Sequence, residues 1–167
     1  MKDLEIKEIE TFNSPTYGRL DLPEIIEKIT EFVRSQPDRQ YKIIIGTDSQ
    51  KHADRGTDFV TALVAHRVGG GGIYFWTRYT QKRPYSLKER MYEEALGSLN
   101  FANDFITYLK TSPSLLEIGL EIHVDVGENG RTREIINEIV SMVRGNGFEV
   151  KTKPDSFGAS KVADRHT

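Results

Sequence analysis

The chain has 167 residues, of which 37% are hydrophobic and none is cysteine, and its formal net charge is −2. This length suffices for one domain around a single hydrophobic core. The absence of cysteine excludes disulfides, zinc–thiolate sites and iron–sulfur clusters. The slightly negative charge excludes a global attraction to nucleic acid, so any such binding depends on local basic clusters.

The N-terminal residues MKDLEIKEIE alternate charged and apolar side chains and lack the pattern of a signal peptide. No apolar run approaches the ~18 residues that cross a bilayer. We therefore expect a cytoplasmic protein with no membrane partner. Residues 14–18, SPTYG, favour a turn that ends an N-terminal arm of residues 1–20. A single domain of residues 21–167 is expected to follow.

The first helix and strand are indicated by local signals. Asp21, with Glu24 three residues later, is typical of a capping box and predicts a helix to about Ser35. Residues 41–45 are almost wholly apolar and predict a buried strand that ends at GTDSQ, residues 46–50.

A hairpin and a long helix are expected next. Residues 59–68 and 73–80 are rich in β-formers and are separated by four glycines, which predicts an antiparallel hairpin. Ser86 and Glu89 form a second capping-box pattern, which predicts a helix that continues to about Leu109.

The remaining residues alternate between strand and helix patterns. Residues 116–126 predict a fourth strand, and the spacing of apolar residues over 135–143 predicts a helix. Residues 148–153 predict a last strand, which a short helix over 156–165 follows. No repeat or low-complexity segment is present.

The order of these elements predicts an α/β fold with a five-stranded mixed sheet and helices on both faces. The first three strands form an antiparallel meander, whereas helical crossovers, which make right-handed parallel connections, lead to the last two. If the second helix returns the chain beside the first strand, the strand order is 3-2-1-4-5. The chain then winds in opposite directions from the first and fourth strands.

Two acidic residues mark this change of direction. Asp48 and Asp125 follow the first and fourth strands, and open α/β sheets bind ligands beyond the carboxyl ends of strands at such a point. Neighbouring carboxylates repel each other unless a cation lies between them, and Mg²⁺ prefers such oxygen ligands. Two ions roughly 3.5–4 Å apart support in-line displacement at phosphorus. We therefore expect metal-dependent phosphodiester hydrolysis, although Asp48 could instead stabilise a turn.

Three segments resemble a known family. GTDSQ (residues 46–50), HVDVG (residues 123–127) and KPDSFGASKVADRHT (residues 153–167) are similar to the YkuK-like branch of the ribonuclease H-like superfamily. The resemblance extends from about Phe12 to the end of the chain. It implies the ribonuclease H-like fold and its metal site.

The resemblance also implies a set of site residues. Nucleases of this superfamily bind two Mg²⁺ or Mn²⁺ ions with acids on the first strand, the first crossover helix, the fourth strand and the terminal helix. Small and then large residues follow Glu94 at helical spacing, which favours it for the helical position. The implied catalytic residues and metal ligands are Asp48, Glu94, Asp125 and Asp164, with Glu93 and Asp155 as alternatives for the two helical positions.

Basic residues near this site are candidates for contacts with nucleic acid. One group lies among tyrosines in residues 78–85, where a solvated loop is the alternative interpretation. The other lies at the start of the third helix, where arginine opposes the helix dipole and a phosphate contact is favoured. The predicted nucleic-acid-binding residues are Arg78, Lys82, Arg83, Arg131 and Arg133.

Two functions are compatible with these patterns. The first is a metal-dependent nuclease acting on RNA, an RNA–DNA hybrid or structured DNA. The alternative is a non-catalytic nucleic-acid-binding domain that keeps the ribonuclease H-like fold without a full set of metal ligands. The actin-like phosphotransferases of the same fold need glycine-rich phosphate loops and a second lobe. A sequence of 167 residues is too short to supply these parts, so this function is not expected.

Overall fold

The computed structural model describes residues 10–126, 133–153, 155, 156 and 166. The strands are β1 (Phe12–Ser14), β2 (Gly18–Leu20), β3 (Tyr41–His52), β4 (Gly56–Arg67), β5 (Gly72–Gln81), β6 (Gly119–His123) and β7 (Glu149–Lys151). The helices are α1 (Leu22–Ser35), α2 (Leu87–Leu109) and α3 (Arg133–Gly145), and a 3-10 helix spans Pro113–Leu115. None of these helices is long and apolar enough to cross a membrane.

Local side-chain hydrogen bonds fix the starts of α1 and α2. The Asp21 carboxylate accepts a hydrogen bond of 2.9 Å from the Glu24 backbone N–H. At α2 the capping box is reciprocal, because the Glu89 N–H donates to the Ser86 hydroxyl and the Ser86 N–H donates to the Glu89 carboxylate. Both predicted helix starts are confirmed.

The sheet has seven strands in the order β2-β1-β5-β4-β3-β6-β7. The prediction of five strands in the order 3-2-1-4-5 is therefore wrong for the sheet as a whole. The difference arises in the N-terminal arm, where Phe12 and Leu20 are buried and their strands extend the sheet beyond β5. β1 meets β5 at one register pair, Asn13↔Trp76. The turn predicted for residues 14–18 connects these two added strands.

The first predicted strand is longer than expected. β3 does not end at residues 46–50 but continues to His52, because β4 pairs with it in antiparallel register from Tyr41↔Arg67 to His52↔Gly56. Parallel pairing with β6 covers a shorter stretch and ends at Gly46↔His123. Asp48 therefore lies inside an antiparallel strand and just beyond the parallel one.

The main hydrophobic core lies between the sheet and the three described helices. Ile45 and Ile122 are fully buried there, together with residues from α1, α2 and α3. A smaller cluster around Ile44, Val60 and Ala62 occupies the other face of the sheet. Among the described residues, helices cover one face, whereas both faces were expected to be covered. The predicted helix over 156–165 lies outside the described residues apart from Ser156.

Core burial on α2 predicts a clear contrast between two aromatic positions. Phe105 is fully buried and Tyr108 is 39% exposed. We expect Phe105→Ala to lower the free energy of unfolding by about 3–5 kcal/mol because it leaves a cavity in a packed core. Tyr108→Ala is the matched control and should cost less than about 1 kcal/mol. Urea denaturation measures both, and equal losses would contradict the position of the core.

Candidate functional site

Asp48 and Asp125 occupy equivalent positions on neighbouring strands. The last parallel pair of β3 and β6 is Gly46↔His123, and each aspartate lies two residues beyond it. Side chains alternate between the faces of a sheet. Thr47 and Ser49 contact α2, so Asp48 lies on the opposite face. Asp125, flanked by valines of the main core, belongs to that same face as Asp48.

Glu94 approaches from α2 and is 9% exposed. The Ser49 hydroxyl donates a hydrogen bond of 2.5 Å to its Oε1 atom. Arg90 in turn donates from Nε to the Ser49 hydroxyl at 3.0 Å and from Nη2 to the Ser49 carbonyl at 2.8 Å. These bonds join α2 to β3 and fix the carboxyl of Glu94 next to the strand that carries Asp48.

The side of α2 that follows Glu94 is closely packed on β3. Thr47 Oγ1 lies 2.8 Å from Ser98 Oγ, and a Cβ at Gly97 would lie 3.3 Å from Tyr79 Oη. The buried residues that continue this side are Ser98, Phe101, Ala102 and Phe105. The small and then large residues noted after Glu94 therefore form the packed side of α2.

The three acids influence one another electrostatically. Burial, together with the negative charges of Asp48 and Asp125, raises the pKa of Glu94 from 4.5 to about 7, against the opposing effects of Ser49 and Arg90. Glu93, the alternative helical acid, is half-buried. Burial and the charges of Glu93, Tyr85 and Glu94 raise the pKa of Tyr79.

Lys153 is a site residue that the sequence analysis missed. Its Nζ atom lies 2.9 Å from Asp125 Oδ1, and the side chain of Asp125 is 33% exposed. The hydrogen bond and charge of Asp125, followed by the charge of Asp48, raise the pKa of Lys153. A lysine therefore contributes positive charge to the acids at this end of the sheet.

The four predicted acids are only partly brought together. Within residues 10–126, 133–153, 155, 156 and 166, no group of three or more histidine, aspartate or glutamate side chains has the arrangement of a metal site. Asp164, the fourth predicted ligand, lies outside the described residues. Its alternative, Asp155, is exposed in a turn where its N–H donates to the Thr152 carbonyl at 2.8 Å.

The predicted basic residues lie in separate places. Lys82 and Arg83 line a cavity at the end of the β3–β4 hairpin. Arg78 lies over the Trp76 ring and donates to the backbone carbonyl of His166. Arg133 is exposed at the start of α3, and Arg131 lies outside the described residues.

The raised pKa of Glu94 predicts a pH-dependent effect on stability. With a folded pKa near 7 and an ordinary value of 4.5, the folded protein binds the extra proton between these pH values, so this contribution to stability is lost as pH rises. We expect Glu94→Gln to raise the free energy of unfolding by roughly 1–3 kcal/mol at pH 8 and to match the wild type near pH 4.

Denaturant titrations at several pH values measure this difference. Glu27→Gln, at an exposed position on α1, is the control for the loss of one negative charge. A stability difference for Glu94→Gln that is the same at every pH would contradict the prediction.

Comparisons with known proteins agree with this architecture. The family model described as ribonuclease H-like matches residues 24–167. A Bacillus subtilis (strain 168) relative, "Uncharacterized protein YkuK", is 32% identical over 166 residues, which cover 93% of this chain and 96% of the relative.

Two solved structures show more distant similarity. One is Ciona intestinalis Endonuclease V in complex with DNA containing an inosine followed by a ribo-adenosine. It is 14% identical with a TM-score of 0.40, and the match covers 84% of this chain and 66% of that one. The other is an N-terminal RNase H domain from Mycobacterium tuberculosis, solved as a fusion with maltose-binding protein. It is 10% identical with a TM-score of 0.35, and the match covers 75% of this chain and 96% of that one. From the family match and the relative, the chain belongs to the ribonuclease H-like family, in its YkuK-like branch.

Proposed function

We propose that this protein is a metal-dependent nuclease that hydrolyses phosphodiester bonds of RNA, an RNA–DNA hybrid or structured DNA. The main support is the position of Asp48 and Asp125, each two residues beyond the last parallel pair of β3 and β6. The buried carboxyl of Glu94 lies close enough for both charges to act on it. We assign these three acids to one site at this end of the sheet, in a chain of the ribonuclease H-like family.

The chemistry of these residues suits a divalent cation. Carboxylate oxygens are the ligands that Mg²⁺ and Mn²⁺ prefer. Burial is the main cause of the raised pKa of Glu94, and a cation would relieve the smaller contribution from the charges of Asp48 and Asp125. The proposed ligands are Asp48, Glu94, Asp125 and Asp164. When bound, the metal supplies an activated water and neutralises charge on the phosphate.

The surrounding side chains orient Glu94. Ser49 and Arg90 bond to one another and hold one oxygen of Glu94 against β3. Arg90 also donates to the backbone carbonyl of Ser49. Movement of α2 along β3 would therefore break both hydrogen bonds that Arg90 donates to Ser49. In the proposed reaction Arg90 and Ser49 are positioning residues, which keep the helical acid directed at the end of the sheet where the aspartates lie.

The ion pair between Lys153 and Asp125 favours a second candidate. A lysine ammonium 2.9 Å from Asp125 neutralises part of the negative charge that a metal would otherwise neutralise. This second candidate is a non-catalytic nucleic-acid-binding domain, in which Lys153 stands at Asp125 in place of a metal. The two candidates differ in whether metal displaces Lys153 from Asp125.

The nuclease proposal predicts a dependence on Asp48. Labelled RNA, RNA–DNA hybrid, single-stranded DNA and branched DNA are incubated with the protein in Mg²⁺ or Mn²⁺. We expect Asp48→Asn to lower the cleavage rate at least about a hundredfold, because a lost ligand costs several kcal/mol of charge stabilisation. Asp38→Asn, at an exposed position, should cleave like the wild type. Equal rates for Asp48→Asn and wild type would contradict the nuclease proposal.

Metal binding separates the two candidates independently of cleavage. Calorimetric titration with Mn²⁺ should show binding to the wild type and a loss of at least about tenfold in affinity for Asp125→Asn. Lys153→Gln should bind Mn²⁺ at least as tightly as the wild type, because the competing cation is removed. Absence of Mn²⁺ binding to both the wild type and Lys153→Gln would favour the non-catalytic domain.

A further inference from the structure

The end of the β3–β4 hairpin and the loop between β5 and α2 line an open cavity of about 620 Å³. We call it the hairpin cavity. Its lining comprises residues 51–57 of the hairpin and residues 82–84 of the loop. The acids Asp48, Glu94 and Asp125 are not part of this lining, so the hairpin cavity is separate from the proposed metal site.

Positive charge predominates in the hairpin cavity. Lys51, Arg55, Lys82 and Arg83 line it, and Asp54 is the carboxylate among the lining residues. This is a local concentration of cations on a chain whose formal net charge is −2. A concave surface lined by several cations attracts an anionic group more strongly than isolated surface cations do.

A buried carboxylate holds two of the basic side chains in place. Asp58 is 3% exposed, and the Thr80 hydroxyl donates to its Oδ1 atom at 2.6 Å. His52 Nε2 lies 3.0 Å from Asp58 Oδ2, and Arg55 Nη2 lies 3.6 Å from the same oxygen. Asp58 therefore connects the hairpin to β5 and orients side chains of the cavity before any ligand binds. Such preorganisation lowers the entropic cost of binding.

The walls of the hairpin cavity meet at a glycine. Gly56 has φ +94°, and a Cβ at this position would lie 2.1 Å from the Gln81 carbonyl oxygen and 2.9 Å from Lys82 Cα. Any side chain here would push the hairpin away from the loop that carries Lys82. The spacing of the cations thus depends on the close backbone contact that glycine permits.

The position of the hairpin cavity relative to Asp48 follows from strand geometry. His52 lies four residues beyond Asp48 on the same strand, which corresponds to about 13 Å at ~3.3 Å per residue. One strand advances about 3.4 Å per nucleotide along the axis of a duplex, and further when it is extended. A nucleic-acid strand that passes Asp48 would therefore reach the hairpin cavity within a few nucleotides.

We propose that the hairpin cavity binds the phosphate backbone of a nucleic-acid strand a few nucleotides from the bond that lies at Asp48. The distance to that bond rests on the proposed function, whereas the binding itself does not. Lys51, Arg55 and Lys82 are assigned to the phosphates. Arg83 is assigned a lesser part, because its guanidinium lies over the Tyr85 ring, 3.9 Å from the ring centroid.

Binding in EDTA tests the hairpin cavity without requiring catalysis. Fluorescence anisotropy of a labelled single-stranded RNA of about twelve nucleotides is measured at several salt concentrations. Arg55→Gln combined with Lys82→Gln should weaken binding at least about tenfold and lower the salt slope by about 1.4, since each lost phosphate contact contributes about 0.7.

A matched double variant removes the same charge at the opposite end of the sheet. Arg34 lies in the last turn of α1 and Lys110 follows the last residue of α2, and both are exposed. Arg34→Gln combined with Lys110→Gln should leave RNA binding within about twofold of the wild type. If both double variants weaken binding equally, the net charge of the protein is responsible, and the proposal is overturned.

A variant that keeps every charge tests the shape of the hairpin cavity. Gly56→Ala should weaken RNA binding severalfold while thermal unfolding shows a folded domain, because the Cβ separates the two walls. Thr80→Val, which removes the hydroxyl bonded to Asp58, serves the same purpose if Gly56→Ala does not fold. Unchanged binding by the folded variant would overturn the proposal.

Two further results separate this inference from the nuclease proposal. If RNA binding in EDTA depends on Arg55 and Lys82 but no nucleic acid is cleaved, the hairpin cavity stands and the nuclease proposal fails. Polyglutamate is added as a competitor to test for an acidic-protein ligand. Displacement of RNA by polyglutamate at equal charge concentration would overturn the assignment to nucleic acid.

Discussion

The parallel pairing of β3 with β6 determines the geometry of the candidate site. Five register pairs, from Lys42↔Gly119 to Gly46↔His123, join the two strands, and the buried Ile45↔Ile122 pair lies in the middle of the core. A shift of one residue would exchange the two faces of β6. Asp125 would then lie on the side of α2, and the core valines beside it would face away from the helices. Hydrophobic burial thus keeps the two aspartates on one face.

The ionised form of Glu94 opposes the stability of the fold. Glu94 is buried within reach of two other carboxylates, and only part of this cost is offset by the hydroxyl of Ser49 and the charge of Arg90. At Asp125, the positive charge of Lys153 neutralises part of the negative charge of the carboxylate. Carboxyl groups with a perturbed pKa cluster at functional sites, where catalysis requires charges that the fold alone does not.

The extent to which the sequence could predict this structure depended on the range of the interactions. Periodicity and capping residues predicted α1, α2 and the β4–β5 hairpin because these signals are local. Asp48 and Asp125 could be expected at neighbouring positions because each follows an apolar run, although β3 itself continues past Asp48 to His52. β1 and β2 have three residues each, too few for a periodic pattern, and pair at a distant edge. The contact of Lys153 with Asp125 and the contact of Ser49 with Glu94 each join residues that are far apart in sequence. No local pattern indicates such contacts.

The short contact of β1 with β5 has a consequence for self-association. Since that contact is one register pair at Asn13↔Trp76, residues 78–81 of β5 lack a described strand neighbour on their outer side. Open strand edges can pair with other chains, and charged or polar side chains discourage this. Arg78, Thr80 and Gln81 supply such side chains here. A chain shortened to begin after β2 would extend the open edge to Trp76, and would thereby offer other molecules a longer and more apolar template for aggregation.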